Sequence, residues 1–355
     1  MRAEQWDAFC EALKLAGEQV LRPETPGDAF TRAEGFRYLT RLLRLSLEKN
    51  IEFNDARFPQ FYSLSHETAK IGNDNPDNYY MNCAVSGSYD YRICGQRGTI
   101  PYLSIESKAG SYGGSGSMEP TGHVELDDLD INADGSFELL VSATPQAGNW
   151  LPMTLHSDNL LVRQTFHNRR VEAPASLSIE CLSPVGNSVL DAEEFARQLA
   201  SVPVFISGTA GLFVDWMELF STHINELPAN DQAMCLRAGG DPSIYYHNSY
   251  WKLREGEALL VELTPPDCRT WNFQLSNYWM ESLDYRYHRI HINKQDAVYA
   301  ADGSVQIVVC SSDPGEAYPN WLNTAGHVLG AMLFRYVEAE SFPPIHTRLV
   351  KTEDL

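Results

Sequence analysis

Asn75-Pro76-Asp77-Asn78-Tyr79-Tyr80-Met81-Asn82 returns 166 residues later as Asp241-Pro242-Ser243-Ile244-Tyr245-Tyr246-His247-Asn248. Both stretches open on an Asx-Pro turn and run into an aromatic pair. Three further pairs follow in the same order. Asp134-Gly135-Ser136-Phe137 matches Asp302-Gly303-Ser304-Val305, and Asn149-Trp150-Leu151 matches Asn320-Trp321-Leu322. Leu161-Val162-Arg163 matches Leu333-Phe334-Arg335. The offset runs only from 166 to 172 residues. Four pairs in register read as one duplicated unit, not as chance.

The texture between these landmarks is that of strands. Tyr89-Asp90-Tyr91-Arg92-Ile93, Tyr102-Leu103-Ser104-Ile105 and Phe137-Glu138-Leu139-Leu140-Val141 are short runs set apart by turn residues. Many such strands with regular turns predict a sandwich or jelly roll. The pattern stops near Cys181 and resumes from Ile244 to Val350. Between them, Asp191–Ala200, Val202–Leu227 and Asp231–Ala238 read as helices. Two more amphipathic helices are expected at the start, one with Trp6, Phe9, Leu13, Ala16 and Val20 on its apolar stripe. The other carries Phe30, Ala33, Phe36, Leu39, Leu43 and Leu47. The expected architecture is therefore mainly β, with tandem jelly-roll or β-sandwich copies at 71–185 and 241–355. A helical segment at 1–70 precedes them, and a helical insert at 186–240 joins them. The N-terminal stripes are expected to be covered by the body or by a second subunit, which makes them the surface for a homo-oligomer.

Composition narrows the partners. The 355 residues carry 27 Lys+Arg against 47 Asp+Glu, a formal net charge of -20. Nucleic acids and anionic membranes, which need clustered cations, are poor partners for such a chain. The seven cysteines are an odd number, scattered, without a CxxC pair. They read as thiols of a reducing compartment. The N-terminus lacks a signal-peptide pattern, and Val202–Met217 is interrupted by Pro203, Gly208, Gly211 and Asp215. A cytoplasmic location without membrane contact is the expectation.

Gly148-Asn149-Trp150-Leu151-Pro152 followed by Val162-Arg163-Gln164-Thr165-Phe166 resembles the domain-of-unknown-function 1214 family. So does Asn277-Tyr278-Trp279-Met280-Glu281-Ser282 followed by Pro319-Asn320-Trp321-Leu322. The likeness covers roughly 70–350 and is closest from Trp271 to Val337. It implies a tandem jelly-roll fold, with a 1254-like domain ahead of the 1214-like one. It implies no catalytic residues.

The densest chemistry lies between Trp279 and Asn293. Read as a strand, this segment puts Asp284, Arg286, His288, Ile290 and Ile292 on one face. Tyr285, Tyr287, Arg289 and His291 then share the other. A carboxylate, a guanidinium and an imidazole beside an apolar strip suit acid–base work on a small molecule. His288, Asp284, Glu281 and His327 are the catalytic candidates on this reading. Arg286, Trp279, Tyr278, Asn320, Trp321 and Tyr285 are the substrate-binding candidates. The plainer alternative is an Asp284–Arg286 ion pair beside a structural histidine.

Other motifs carry less. His288 and His291 are three apart and fall on opposite faces of a strand, so a zinc site is not expected. Asp130-Ile131-Asn132-Ala133-Asp134-Gly135 opens like a calcium loop, but its twelfth position is Val141. A hairpin explains the same residues. The Gly-rich stretch Gly110–Gly116 lacks the lysine of a phosphate loop and reads as a mobile loop or lid. No metal or nucleotide cofactor is expected. The favoured function is a cofactor-independent hydrolase, lyase or isomerase acting on a small hydrophobic or glycan-like substrate in the C-terminal sandwich. The competing reading is a non-catalytic carbohydrate- or partner-binding protein with aromatics on an open face.

Overall fold

The computed structural model describes residues 3–114, 116–184 and 186–355. Ser115, inside the Gly-rich stretch, therefore lies outside the described residues, as do Met1, Arg2 and Val185. Helices α1 (Ala3–Ala16) and α2 (Ala29–Leu47) come first. Asp28 caps α2 by accepting the Thr31 amide at 2.9 Å. The buried face of α2 is Thr31, Glu34, Gly35, Tyr38, Leu42, Leu45 and Ser46. This corrects the phase read from the sequence. Phe30 and Phe36 are about half exposed and Tyr38 is buried, because the stripe through Phe30, Phe36 and Leu39 is rotated by about one position from the buried face. On α1, Phe9 and Ala16 are buried while Trp6 stays exposed, and Val20, in the 3-10 helix Gly17–Leu21 that follows, is buried.

Eight strands then follow: β1 (Asn78–Ala84), β2 (Tyr91–Gln96), β3 (Tyr102–Ala109), β4 (Glu119–Glu125), β5 (Ser136–Ser142), β6 (Trp150–Pro152), β7 (Asn159–Thr165) and β8 (Ser176–Cys181). They form two four-stranded sheets, ordered β1-β7-β3-β4 and β6-β5-β2-β8. Their inward residues, among them Tyr91, Ile93, Leu103, Ile105, Leu139, Val141 and Val162, make one core.

Helix α3 (Ala192–Phe220) is a single helix that runs through Pro203. The break expected between Ala200 and Val202 does not exist. Gly208 is a point of close approach: a Cβ there would lie 2.4 Å from the Tyr112 carbonyl oxygen. Gly113 of the Gly-rich stretch is equally tight against Phe205 backbone, so this part of the stretch is packed. By length and composition, Ala192–His223 is apolar enough to cross a membrane, and half of its most apolar stretch is buried inside the protein. A short helix α4 (Gln232–Arg237) follows.

The second series is β9 (Ile244–Lys252), β10 (Glu257–Leu263), β11 (Thr270–Leu275), β12 (His291–Asn293), β13 (Val305–Cys310), β14 (Trp321–Asn323), β15 (Leu329–Val337) and β16 (His346–Lys351). Its sheets are ordered β9-β15-β11-β12 and β14-β13-β10-β16. Strand for strand, this is the order of the first series. The fold is thus mainly β, a duplicated pair of sandwiches with helices ahead of the first and between the two.

The duplicated motifs do the same work in both copies. Asn149 Oδ1 accepts the Asp130 amide at 2.7 Å, and its Nδ2 donates to the Asp130 and Glu138 carbonyls. Asn320 Oδ1 accepts the Val298 amide at 2.8 Å, and its Nδ2 donates to the Val298 and Gln306 carbonyls. Trp150 Nε1 donates to Ser142 and Trp321 Nε1 to Cys310, both at 3.1 Å. Asp134 and Asp302 each take the amide and hydroxyl of the serine two residues on, at 3.0 and 2.7 Å. The calcium-like acid is a turn-former.

The two compact units divide the chain unevenly. One comprises residues 1–69, 77–212 and 236–239; the other comprises 70–76, 213–235 and 240–355. The helical N-terminal segment therefore belongs with the first sandwich, and the insert is shared between the units. In each unit a buried arginine on the outer face of a sheet grips a backbone carbonyl. Arg163 on β7 donates to Gly239 and Arg335 on β15 donates to Asn73. Each carbonyl lies two residues ahead of an Asx-Pro turn, before Asp241-Pro242 and before Asn75-Pro76. The partner on the neighbouring strand differs. Arg163 meets Glu106, which also accepts Lys108 Nζ at 2.5 Å, and all three are buried. Arg335 meets the neutral amides of Gln274 at 2.6 Å and Asn272 at 3.3 Å.

Glu106 and Gln274 are equivalent positions, each two residues beyond the strand partner of its arginine. Replacing Glu106 with Gln leaves two buried cations without the carboxylate they share. Chemical denaturation should show a loss of about 3–5 kcal/mol. The reciprocal Gln274→Glu, which brings a carboxylate to a buried guanidinium, should cost clearly less. Equal losses would contradict this account of the two arginines.

Candidate functional site

The segment Trp279–Ile290 is not a strand, so the alternation of faces expected there does not exist. It is a pair of turns leading into β12. Asn277 Oδ1 accepts the amides of Trp279 and Glu281, and Asn277 Nδ2 donates to Glu281 Oε2 at 3.0 Å. Met280 closes this clasp at φ 54°. The next turn closes on Asp284, whose carbonyl accepts the His288 amide at 3.1 Å. Charged residues spaced by two mimic a strand pattern, whereas a turn closed by side chains leaves no periodic signal.

The catalytic candidates consequently do not converge. His288 and Arg286 are exposed. Asp284 binds Arg286 through both oxygens at 2.9 and 2.7 Å, and this guanidinium holds its carboxyl down at about 2. A pair this exposed contributes at most about 1 kcal/mol, well short of a buried pair. Glu281 is buried against Asn277, and His327 Nδ1 faces the carbonyls of Thr324 and Ala325 at 3.0 and 3.1 Å. The binding candidates are largely structural. Tyr278 and Trp279 are buried and pack edge to face at 5.1 Å. Asn320 and Trp321 form the duplicated corner described above, and Tyr285 lies under the Lys70 ammonium at 4.6 Å.

A different histidine has the geometry those residues lack. His247 on β9 is 3% exposed and belongs to the inward-facing set of its strand. Its Nδ1 lies 3.0 Å from the Pro228 carbonyl oxygen. A carbonyl only accepts, so Nδ1 carries the proton and Nε2 is left with a lone pair. Nε2 is buried and has no hydrogen-bond partner among the described residues. Burial holds the imidazole pKa below its ordinary 6.5, against the opposing pull of the Pro228 and Leu227 backbone. The result is a neutral imidazole at pH 7, fixed through one nitrogen and, among the described residues, unpartnered at the other, which is buried.

His247 lines a cleft of about 530 Å3 in the second unit. That volume is in the range of small-molecule sites, about 300–1,000 Å3. Leu227 and Pro228 from the segment ahead of α4, with Phe342, Pro344 and Ile345 from the segment between β15 and β16, supply apolar walls. Exposed Glu226 and His346 also line it. Phe342 stacks on Tyr245 with centroids 3.7 Å apart. The Tyr336 ring stands edge-on to His247 at 6.0 Å, and its buried hydroxyl likewise has no hydrogen-bond partner among the described residues.

The first unit shows what a purely structural version looks like. His247 pairs with Phe334 in the register in which Met81 pairs with Val162. Gln164 stands where the second copy has Tyr336, and its amide nitrogen Nε2 donates to Met81 Sδ at 3.4 Å. Met81 is an ordinary core residue. The second copy has replaced a methionine–glutamine contact with an imidazole and a phenol. The signal was present in the opening motif of the sequence, in the one inward position where Met81 becomes His247. Burial pushes the thiols of Cys83, in the first core, and of Cys235, on α4, up to about 12 and so keeps both protonated at neutral pH.

Known proteins agree with this architecture. The family model described as "Protein of unknown function (DUF1214)" matches residues 258–340. Its match does not extend to the first copy, so the 1254-like resemblance rests on the sequence motifs alone. No curated protein is similar to the chain. The crystal structure of an uncharacterised protein from Burkholderia cenocepacia is 48% identical, with a TM-score of 0.96 over 99% of this chain and 98% of that one. The VPA0106 protein from Vibrio parahaemolyticus is 10% identical, with a TM-score of 0.51 over 96% of this chain and 100% of that one, and shares the fold alone. On the family match and the full-length likeness together, the chain belongs to the DUF1214 family.

Proposed function

We propose that this protein is an acid–base enzyme of the hydrolase, lyase or isomerase class, acting on a small hydrophobic substrate in the His247 cleft of the C-terminal sandwich. The observation that carries this reading is the state of His247. Nδ1 is engaged by Pro228, burial keeps the ring neutral, and Nε2 has no partner among the described residues. Such a nitrogen takes a proton from a substrate hydroxyl or from a water poised to attack. The apolar walls favour a hydrophobic substrate over a glycan, which needs many polar partners. The site lies in one copy of the duplication only, as expected of function added to a fold that stands without it.

A panel of small hydrophobic esters, lactones and hydroxy compounds should reveal turnover by the full chain. His247→Gln should lower that rate about 100-fold or more while the melting temperature moves by only a few degrees. His288→Ala should leave it unchanged. The rate should be flat above neutral pH and fall once the pH drops below 6.5, as Nε2 takes up a proton. A His247→Gln variant as active as the parent would contradict the proposal. Ligand binding that depends on His247 without any turnover would make the protein a binding module.

The same burial has a consequence for stability. A histidine whose folded pKa lies below its unfolded value binds protons more readily in the unfolded chain. Its contribution is fully present above about pH 6.5 and is lost as the pH falls below it. His247→Met, which installs the residue of the first copy, should therefore flatten the fall in stability between pH 6.5 and acid, as measured by urea denaturation. An unchanged pH dependence would show that His247 is not held neutral.

A further inference from the structure

The electrostatics of the cleft narrow the substrate further. This step rests on the assignment of the His247 cleft as the site. Nε2 of His247 can only accept a hydrogen bond while Pro228 holds the proton on Nδ1. A molecule that reaches this buried nitrogen must therefore present a donor. No lysine or arginine lines the cleft among the described residues, while Glu226 places a carboxylate at it and the chain carries a net charge of -20. An anion would meet a lone pair, a carboxylate and a negative field, with no cation to offset its desolvation. The remaining walls are flat and stiff. Phe342 is fixed by stacking on Tyr245, and Pro228, Pro343 and Pro344 have little conformational freedom to lose on binding.

We infer that the cleft selects an uncharged, ring-sized apolar molecule bearing a hydroxyl group, with the hydroxyl donating to His247 Nε2, and rejects the corresponding carboxylate. A phenol or a cyclic alcohol has this chemistry. The first copy sets the control, since Met81 in the place of His247 offers only a weak sulfur acceptor.

Phenol and benzoate are rings of similar size that differ in charge at pH 7.5. Each is titrated at millimolar concentration against the full chain, following the His247 imidazole resonances by NMR. Phenol should shift the His247 signals, and benzoate should bind at least about tenfold more weakly. The loss of one hydrogen bond in His247→Met should weaken phenol by about tenfold with the fold retained. Tighter binding of benzoate, with both probes still dependent on His247, would overturn the selectivity and leave the site in place. Absence of phenol binding, or phenol binding unchanged in His247→Met, would overturn the inference. The latter result would remove the site as well.

Discussion

Two buried guanidinium groups set the terms on which this chain folds. Arg163 and Arg335 occupy equivalent places in two duplicated sheets, and each donates to a backbone carbonyl two residues ahead of an Asx-Pro turn. The carbonyl held by Arg163 precedes the second strand series, and the one held by Arg335 precedes the first. Each unit thus contains the approach to the other copy's first strand: 236–239 in one case, 70–76 in the other. In the second unit that segment is bound at several points. Gln274 donates to the Asp74 carbonyl, Asn272 to Asn75, and Asp74 accepts both the amide and the hydroxyl of Ser282 at 2.8 Å. A buried cation and a set of buried amides need such partners, because leaving one unpaired costs more than the bond contributes. The copies are therefore tied by chain exchange, and neither has all of its hydrogen-bond partners if cut out at its sequence boundaries.

With the framework held by these polar sheet faces, the sandwich interiors are free to differ. The first holds Met81 and Gln164 in contact, where the second holds His247 and Tyr336. A buried imidazole nitrogen without a hydrogen-bond partner costs stability. It is present in one copy only, where the other has Met81. The candidates named around Asp284 and His327, by contrast, are each engaged locally: a two-residue ion pair, an Asn–Glu clasp and a histidine facing backbone carbonyls.

Much of the fold was legible because turns speak locally. Asp-Gly-Ser, Asn-Trp-Leu and Asx-Pro each fix a corner by their own side chains, so their repetition marked the duplication and the limits of both strand series. Three features were not legible. Helix α3 continues through Pro203, since tertiary burial of Val202, Phe205, Ile206 and Ala210 outweighs one missing hydrogen bond. The turn after Asn277 depends on a methionine at positive φ, which no residue preference announces. The catalytic candidates failed for the same reason, because the strand assumed for them was needed to bring them together. His247 stood in the first motif read, yet its meaning depends on a carbonyl at Pro228 and on a chain segment nearly a hundred residues downstream. Those contacts are three-dimensional and leave no spacing in the sequence.

The protonation state of His247 is the point on which the functional account turns. Its two ring nitrogens can be distinguished by their 15N chemical shifts in the full chain at neutral pH. The account predicts a neutral ring, protonated at Nδ1 and unprotonated at Nε2. An imidazolium at that pH, or a proton resident on Nε2, would contradict it.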